Sequence, residues 1–203
     1  MGLLVVPVGT VPPGLAALLA EFLGGAVGED CRVRAEGLDP APAHDAARGQ
    51  ANCRLLLPAL EALVPAEGAR ALGIADVDLF SPIFTHVFGE ASLGGKAGVF
   101  SLHRLRPTLY GLPEDPALLL ARARREGLHE TGHLLGLAHC REPACVMRFS
   151  GSVEEVDLKE DAFCAACLEA ISSRRGSSRS PSPGSQDSPP PRSGSSAPAS
   201  ASS

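Results

Sequence analysis

The apolar positions form two kinds of run, and their order predicts alternating strands and helices. Residues 3–8 are a short, nearly continuous apolar segment, the pattern of a strand buried on both faces. Residues 12–23 instead space Leu15, Leu18, Leu19, Phe22 and Leu23 along one helical face. Residues 32–35 predict a second short strand. Residues 47–63, carrying Leu55, Leu56, Leu60 and Leu63, predict a second helix. Three further strands are expected at 73–80, 84–89 and 98–102, with Gly94-Gly95 as the turn between the last two. A long helix follows, opened by Asp115 as N-cap and Pro116 in the first turn, with Leu118, Leu119, Leu128 and Leu135 as its apolar surface. Gly127 in its interior costs about 1 kcal/mol relative to alanine, so a start or a kink is expected there. A last helix is expected at 157–171. Strands interleaved with helices place the chain in the α/β class, and no internal repeat is present.

The long helix carries the chemistry. His129, Glu130, His133, Gly136 and His139 lie within one eleven-residue string, His-Glu-Thr-Gly-His-Leu-Leu-Gly-Leu-Ala-His. Residues four apart on a helix differ by about 400° of rotation, so His129 and His133 share a face one turn apart. Both imidazoles suit one metal ion. Glu130 lies about 100° round from His129, poorly placed as a ligand but within reach of a water at the metal. A straight helix would carry His139 off that face. Gly136 tolerates positive φ and ends helices readily, so a bend there returns His139 as a third ligand. Three nitrogens and one open position are the ligand set of a catalytic zinc site, with Glu130 as general base. The competing reading, an ordinary helix with two exposed histidines, does not account for Gly136, His139 or the adjoining cysteines.

Four of the six cysteines, Cys140, Cys145, Cys164 and Cys167, have a spacing suited to a tetrahedral zinc. Two disulfides are the competing reading, against which the short ring closed by Cys-x-x-Cys stands. Cys31 and Cys53 are left over, read as buried free thiols, with a disulfide between them as the alternative. His44 and His86 lack metal-type spacing partners, and Tyr110 is a candidate oxyanion donor.

The extended histidine string resembles the metzincin clan of zinc peptidases. The His-Cys-x4-Cys-x-Met continuation and the later Cys-x-x-Cys are similar to the archaemetzincins in particular. The segments Val87-Phe88-Gly89-Glu90-Ala91, Ser101-Leu102-His103-Arg104-Leu105 and Arg48-Gly49-Gln50 extend the resemblance over about residues 3–171. It implies a zincin-like fold: a mixed, mostly parallel twisted sheet with an active-site helix, and a small zinc-tied C-terminal subdomain. It also implies that His129, His133 and His139 hold a catalytic zinc, with Glu130 as general base and Met147 as the Met-turn residue beneath. Cys140, Cys145, Cys164 and Cys167 would hold a second, structural zinc, giving two Zn²⁺ per chain. Residues 84–89 are the candidate edge strand for an extended substrate, with Val87, Phe88 and Gly89 as binding residues. The activity implied is zinc-dependent hydrolysis of peptide bonds, of endopeptidase or aminopeptidase type. The competing readings are a zinc-stabilised peptide-binding protein with little turnover, against which Glu130 stands, and hydrolysis of a non-peptide amide.

Composition bounds the rest. Residues 172–203 are mainly Ser, Pro, Gly, Ala and Arg, so a catalytic domain over 1–171 is expected to end in a disordered tail. That tail holds four Arg and one Asp, a net of +3, which leaves −8 on the remainder of a chain whose net charge is −5. An acidic body argues against a nucleic-acid partner. No run reaches the eighteen or so apolar residues of a membrane span, and residues 1–7 lack a signal-like basic start. Zinc thiolates without a leader predict a reducing cytoplasm, and a monomer acting on a peptide or protein substrate.

Overall fold

The computed structural model describes residues 2–64 and 68–177. Its main sheet is built by β1 (Gly2–Val8), β2 (Asp30–Val33), β5 (Arg70–Ala75), β8 (Gly89–Ala91) and β9 (Ala97–Ser101), in the order β2-β1-β5-β9-β8. The first four strands are mutually parallel, and β8 closes the row antiparallel to β9. Period-two alternation in β1 and β5 sends side chains to two separate cores. Leu3, Val5, Leu72, Ile74 and Phe100 face α1 (Leu15–Val27) and α3 (Pro116–Leu134). Val6, Val8, Ala71, Ala75 and Val99 face α2 (Cys53–Glu61). Gly73 in the central strand leaves room for α2: a Cβ there would stand 2.9 Å from Leu60 Cδ1 of α2 and 3.1 Å from Val99 Cγ2 of β9. The α/β class and the mostly parallel sheet agree with expectation.

A second sheet, absent from the sequence reading, consists of β3 (His44–Asp45), β4 (Gln50–Asn52), β6 (Leu79–Ser81) and β7 (Phe84–Val87), in that order. It arises where three expected elements break. The helix expected at 47–63 begins only at Cys53. Asp45 Oδ1 accepts from the Ala47 and Arg48 N–H groups at 3.0 and 3.2 Å, and Gly49 takes φ +66°, so the chain turns into β4. Asn52 then caps α2 through the Arg54 N–H. The strand expected at 73–80 splits into β5 and β6 because Asp76 and Asp78 are drawn aside by Arg106 and Arg104. The strand expected at 84–89 splits into β7 and β8, which belong to different sheets. Phe88 is the crossing point, buried in the core against α3, with its carbonyl accepting from Ser101.

Asp115 caps α3 as expected, its Oδ1 accepting from Leu118 N–H at 2.9 Å. No break occurs at Gly127; α3 runs unbroken through it. The glycine is used for packing, since a Cβ there would press on the Phe100 ring at 3.3 Å. The C-terminal helix expected at 157–171 is two helices, α4 (Val153–Asp157) and α5 (Ala165–Ser177). Between them Lys159 turns into the protein to meet Glu126, and Cys164 joins the other cysteines. α5 continues past the compositional boundary at Ile171, and the rest of the tail, 178–203, lies outside the described residues.

Candidate active site

α3 delivers His129, Glu130 and His133 to a cleft of about 610 Å³, and the chain beyond its C-terminus delivers His139. Gly136 takes φ +88°, with its N–H on His133 O (2.8 Å) and the Leu137 N–H on Gly132 O (2.9 Å). This left-handed stop reverses the chain, as expected, and brings one ligand nitrogen of each histidine within 4.8 Å of the others. His129 Nδ1 donates to Val146 O and His133 Nδ1 donates to Leu137 O, each at 2.8 Å. A carbonyl only accepts, so both Nδ1 atoms carry the proton and both Nε2 atoms carry a lone pair. Those two Nε2 atoms face each other at 3.0 Å. Two lone pairs at that distance repel unless a cation lies between them. Burial holds all three imidazoles below their usual pKa, with positive Lys159 adding to the effect, so the neutral, ligating form prevails at pH 7. The donor set therefore fits a zinc ion with an open position.

Glu130 lies on the same cleft, buried, and its Oε2 has no hydrogen-bond partner among the described residues. Burial raises its pKa well above the ordinary carboxylate value, with Glu126 and Glu90 adding and Lys159 opposing. Its close neighbour is Gly89: a Cβ there would meet Glu130 Oε1 at 2.5 Å and Cδ at 2.8 Å. The glycine at the start of β8 thus makes room for the carboxyl group. Met147, fully buried, lies under α3 against Gly132, whose missing side chain admits the thioether. Met147 so packs on the turn of α3 between His129 and His133.

The second cluster stands behind the first. The Sγ atoms of Cys140, Cys145, Cys164 and Cys167 lie within 4.8 Å of one another. The pairs Cys140–Cys164 and Cys145–Cys167 are 3.8 Å apart, far beyond a disulfide bond, and all six cysteines are free. Amide N–H groups of Glu142 and Cys164 point at Cys140 Sγ and Cys145 Sγ, each at 3.4 Å. Four converging thiols in a half-buried setting fit a tetrahedral metal site. Cys31 and Cys53 pack on opposite faces of the main sheet, which removes the disulfide alternative.

Residues 61–173 match Peptidase family M54. The chain is 39% identical to an archaemetzincin of Methanocaldococcus jannaschii over 174 residues, covering 86% of this chain and 94% of that one. The chain belongs to this family, the archaemetzincins. Solved structures agree. An archaemetzincin from Methanopyrus kandleri superposes with a TM-score of 0.73 at 34% identity, covering 87% of this chain and 96% of that one. A zinc-dependent peptidase from Methanocorpusculum labreanum gives 0.77 at 28%, covering 84% and 100%. The archaemetzincin fold expected from the histidine string is thus the fold observed.

The cleft also holds residues that pattern reading missed. Val87, Phe88 and Gly89 line it together with Phe84 and His86 of the same expected strand, but so do Ile83, Leu93, Phe149, Glu126 and Lys159. Lys159 and Glu126 form a buried ion pair at 2.9 Å. A Glu one helical turn before Glu130 was a readable hint, since position i−4 shares its face; the partner lysine, thirty-three residues on, was not. Phe149 sets its ring edge-on to His139 with centroids 5.3 Å apart. Tyr110 is not in the cleft: its hydroxyl donates to Arg104 O at 2.8 Å, which removes it as an oxyanion donor. His44 and His103 lie outside the histidine cluster. Among the described residues no helix is long and apolar enough to cross a membrane.

Proposed function

We propose that the protein hydrolyses peptide bonds with a zinc ion held by His129, His133 and His139 and with Glu130 as general base. The observation that carries this is the pair of opposed Nε2 lone pairs in one cleft with a buried Glu130 oxygen that has no hydrogen-bond partner among the described residues. When bound, the zinc supplies Lewis acidity, polarising the scissile carbonyl and lowering the pKa of water toward about 7. Val146 O and Leu137 O hold the imidazoles in the ligating tautomer. Glu130, with its proton affinity raised by burial, takes the proton from the attacking water at Oε2 and returns it to the departing amine. Gly89 and the rim residues Ile83, Phe84 and Leu93 give the cleft an extended, largely apolar wall along β7 and β8, suited to a peptide in strand conformation. In the same reading Cys140, Cys145, Cys164 and Cys167 hold a second, structural zinc, with Met147 as the floor between the two sites. Zinc thiolates of this kind favour a reducing compartment.

The test is digestion of a broad peptide library by the zinc-replete protein, with and without chelator, for the parent and Glu130→Gln. The expected result is chelator-sensitive cleavage lost in Glu130→Gln, with zinc content near that of the parent. Cleavage by Glu130→Gln at the parental rate would remove Glu130 from its role. Peptide binding without any cleavage by the parent would leave a binding protein rather than a peptidase. The library read-out also separates cleavage within peptides from trimming at their amino ends.

A further inference from the structure

The turn around Gly49 reaches the substrate wall from behind. Arg48 Nε donates to Gln50 Oε1 at 2.9 Å, tying the two side chains that flank the glycine. Both then converge on one backbone atom: Arg48 Nη2 donates to Thr85 O at 2.9 Å, and Gln50 Nε2 donates to it at 3.1 Å. Gln50 is 7% exposed, and its Nε2 also donates to Asp78 Oδ2 at 2.8 Å. Asp78 is held in turn by two bonds from Arg104, at 2.7 and 2.8 Å. The Arg48 guanidinium lies 4.2 Å over the Phe80 ring.

Thr85 needs these partners because the β6–β7 ladder is irregular. Ser81 pairs with Phe84 and Leu79 with Val87, so Thr85 and His86 together stand opposite Phe80. A bulge leaves a residue outside the regular ladder and bends its strand. A carbonyl in that position needs a donor from elsewhere. Here the donors are two side chains fixed to each other, to Phe80 and, through Asp78, to Arg104. β7 is the last strand of its sheet, and its residues 84–87 line the same cleft as His129, Glu130, His133 and His139.

We infer that Arg48 and Gln50 are positioning residues for the substrate: they fasten the bulge at Thr85 so that β7 offers its cleft edge in a fixed register to an extended peptide. The inference rests on the peptide-hydrolysis reading of the cleft. Neither residue touches the reacting atoms. Their contribution therefore depends on how much of the substrate lies along β7, which a purely structural role would not.

The experiment compares the parent, Arg48→Ala and Arg48→Lys on two substrates. One is a peptide of about eight residues, roughly 26 Å long when extended. The other is a short chromogenic amide confined to the histidine cluster. Arg48→Ala is expected to raise KM for the long peptide about tenfold, the effect of one charge-assisted hydrogen bond. On the short amide its kcat/KM stays within about twofold of the parent, under the same reasoning. Arg48→Lys restores only part of the long-peptide effect, because an ammonium lacks the fork that reaches Gln50 and Thr85 together. Equal losses on both substrates, or none on the long one, would overturn the inference. If Arg48→Ala lowers the thermal midpoint, calorimetric affinities of a peptide hydroxamate and of acetohydroxamate for the zinc-loaded protein, taken well below that midpoint, replace kinetics. Selective weakening of the peptide hydroxamate supports the inference even if the parent cleaves nothing, and equal weakening of both refutes it.

Discussion

Gly132 sits inside α3 between two candidate zinc ligands, where alanine would ordinarily stabilise a helix by about 1 kcal/mol. The structure reverses that expectation. A Cβ on Gly132 would overlap Met147 Sδ and stand 3.0 Å from Phe163 Cε1 and 3.1 Å from Met147 Cε. Met147 has little room to retreat, being fully buried with its carbonyl held by the Cys140 N–H at 2.9 Å. Overpacking of this severity costs about 2–3 kcal/mol, so after the gain in helix propensity Gly132→Ala should destabilise by about 1–2 kcal/mol. A displaced Met147 also moves Val146, whose carbonyl sets the His129 tautomer, so zinc affinity at the histidines should fall at least about tenfold. Urea denaturation gives the first quantity and competition with a chromophoric chelator the second. In a Met147→Ala background the sulfur is gone, and adding Gly132→Ala should then be neutral or stabilising by up to about 1 kcal/mol. A single Gly132→Ala variant more stable than the parent, with unchanged zinc affinity, would refute the packing argument.

Gly89→Ala should lower kcat about a hundredfold at near-parental zinc content, because its Cβ would lie 2.5 Å from Glu130 Oε1 and turn the carboxyl away; steady-state kinetics with metal analysis checks this. Asp115→Ala removes the α3 cap and should cost about 1 kcal/mol in denaturant unfolding, leaving the metal sites intact. The chelated protein should lose stability as pH falls through 6.5, the unfolded histidine value, since burial holds the three folded imidazoles below it and only the unfolded state takes up those protons. Glu130 acts oppositely, because its raised folded pKa retains a proton that the unfolded chain sheds above 4.5, but one carboxyl works against three imidazoles. A urea midpoint unchanged or higher at pH 5.5 than at pH 7.5 would contradict this balance. Cys164→Ser should take zinc from two per chain to one by elemental analysis, with activity reduced; two zincs retained would exclude the four-cysteine site.

The histidine and cysteine clusters were legible in the sequence because a metal demands particular atoms at short separations. The helical turn between His129 and His133 and the glycine stop before His139 are local geometry, written in consecutive residues. β1 and the Asp115 cap were legible for the same reason. The second sheet was not. Its strands are two to four residues long, too short for periodicity, and they exist because distant side chains hold them. Asp78 and Arg104, twenty-six positions apart, break what the apolar pattern joins. Phe84 to Gly89 reads as one strand because Phe88 is apolar at a strand-like spacing. Only the fold reveals that this residue carries the chain from one sheet to the other. The Glu126–Lys159 pair escaped for the same reason, since a lone Lys in a loop carries no local sign of burial.

Two of the three clustered histidines are tied to backbone bordering the cysteines. His139 is bonded directly to Cys140. The carbonyl that orients His129 belongs to Val146, next to Cys145. The bend that presents His133 and His139 turns at Gly136, against the guanidinium of Arg174 from α5, the helix that follows Cys164 and contains Cys167. The consequence is that the two clusters would be coupled. A metal gathered by the four thiols would steady these segments, and the histidines would then meet their own ion already converged, with little chelate entropy left to lose. By the same linkage an ion on the histidines would tighten the thiol cluster, so the two sites would fill together rather than independently.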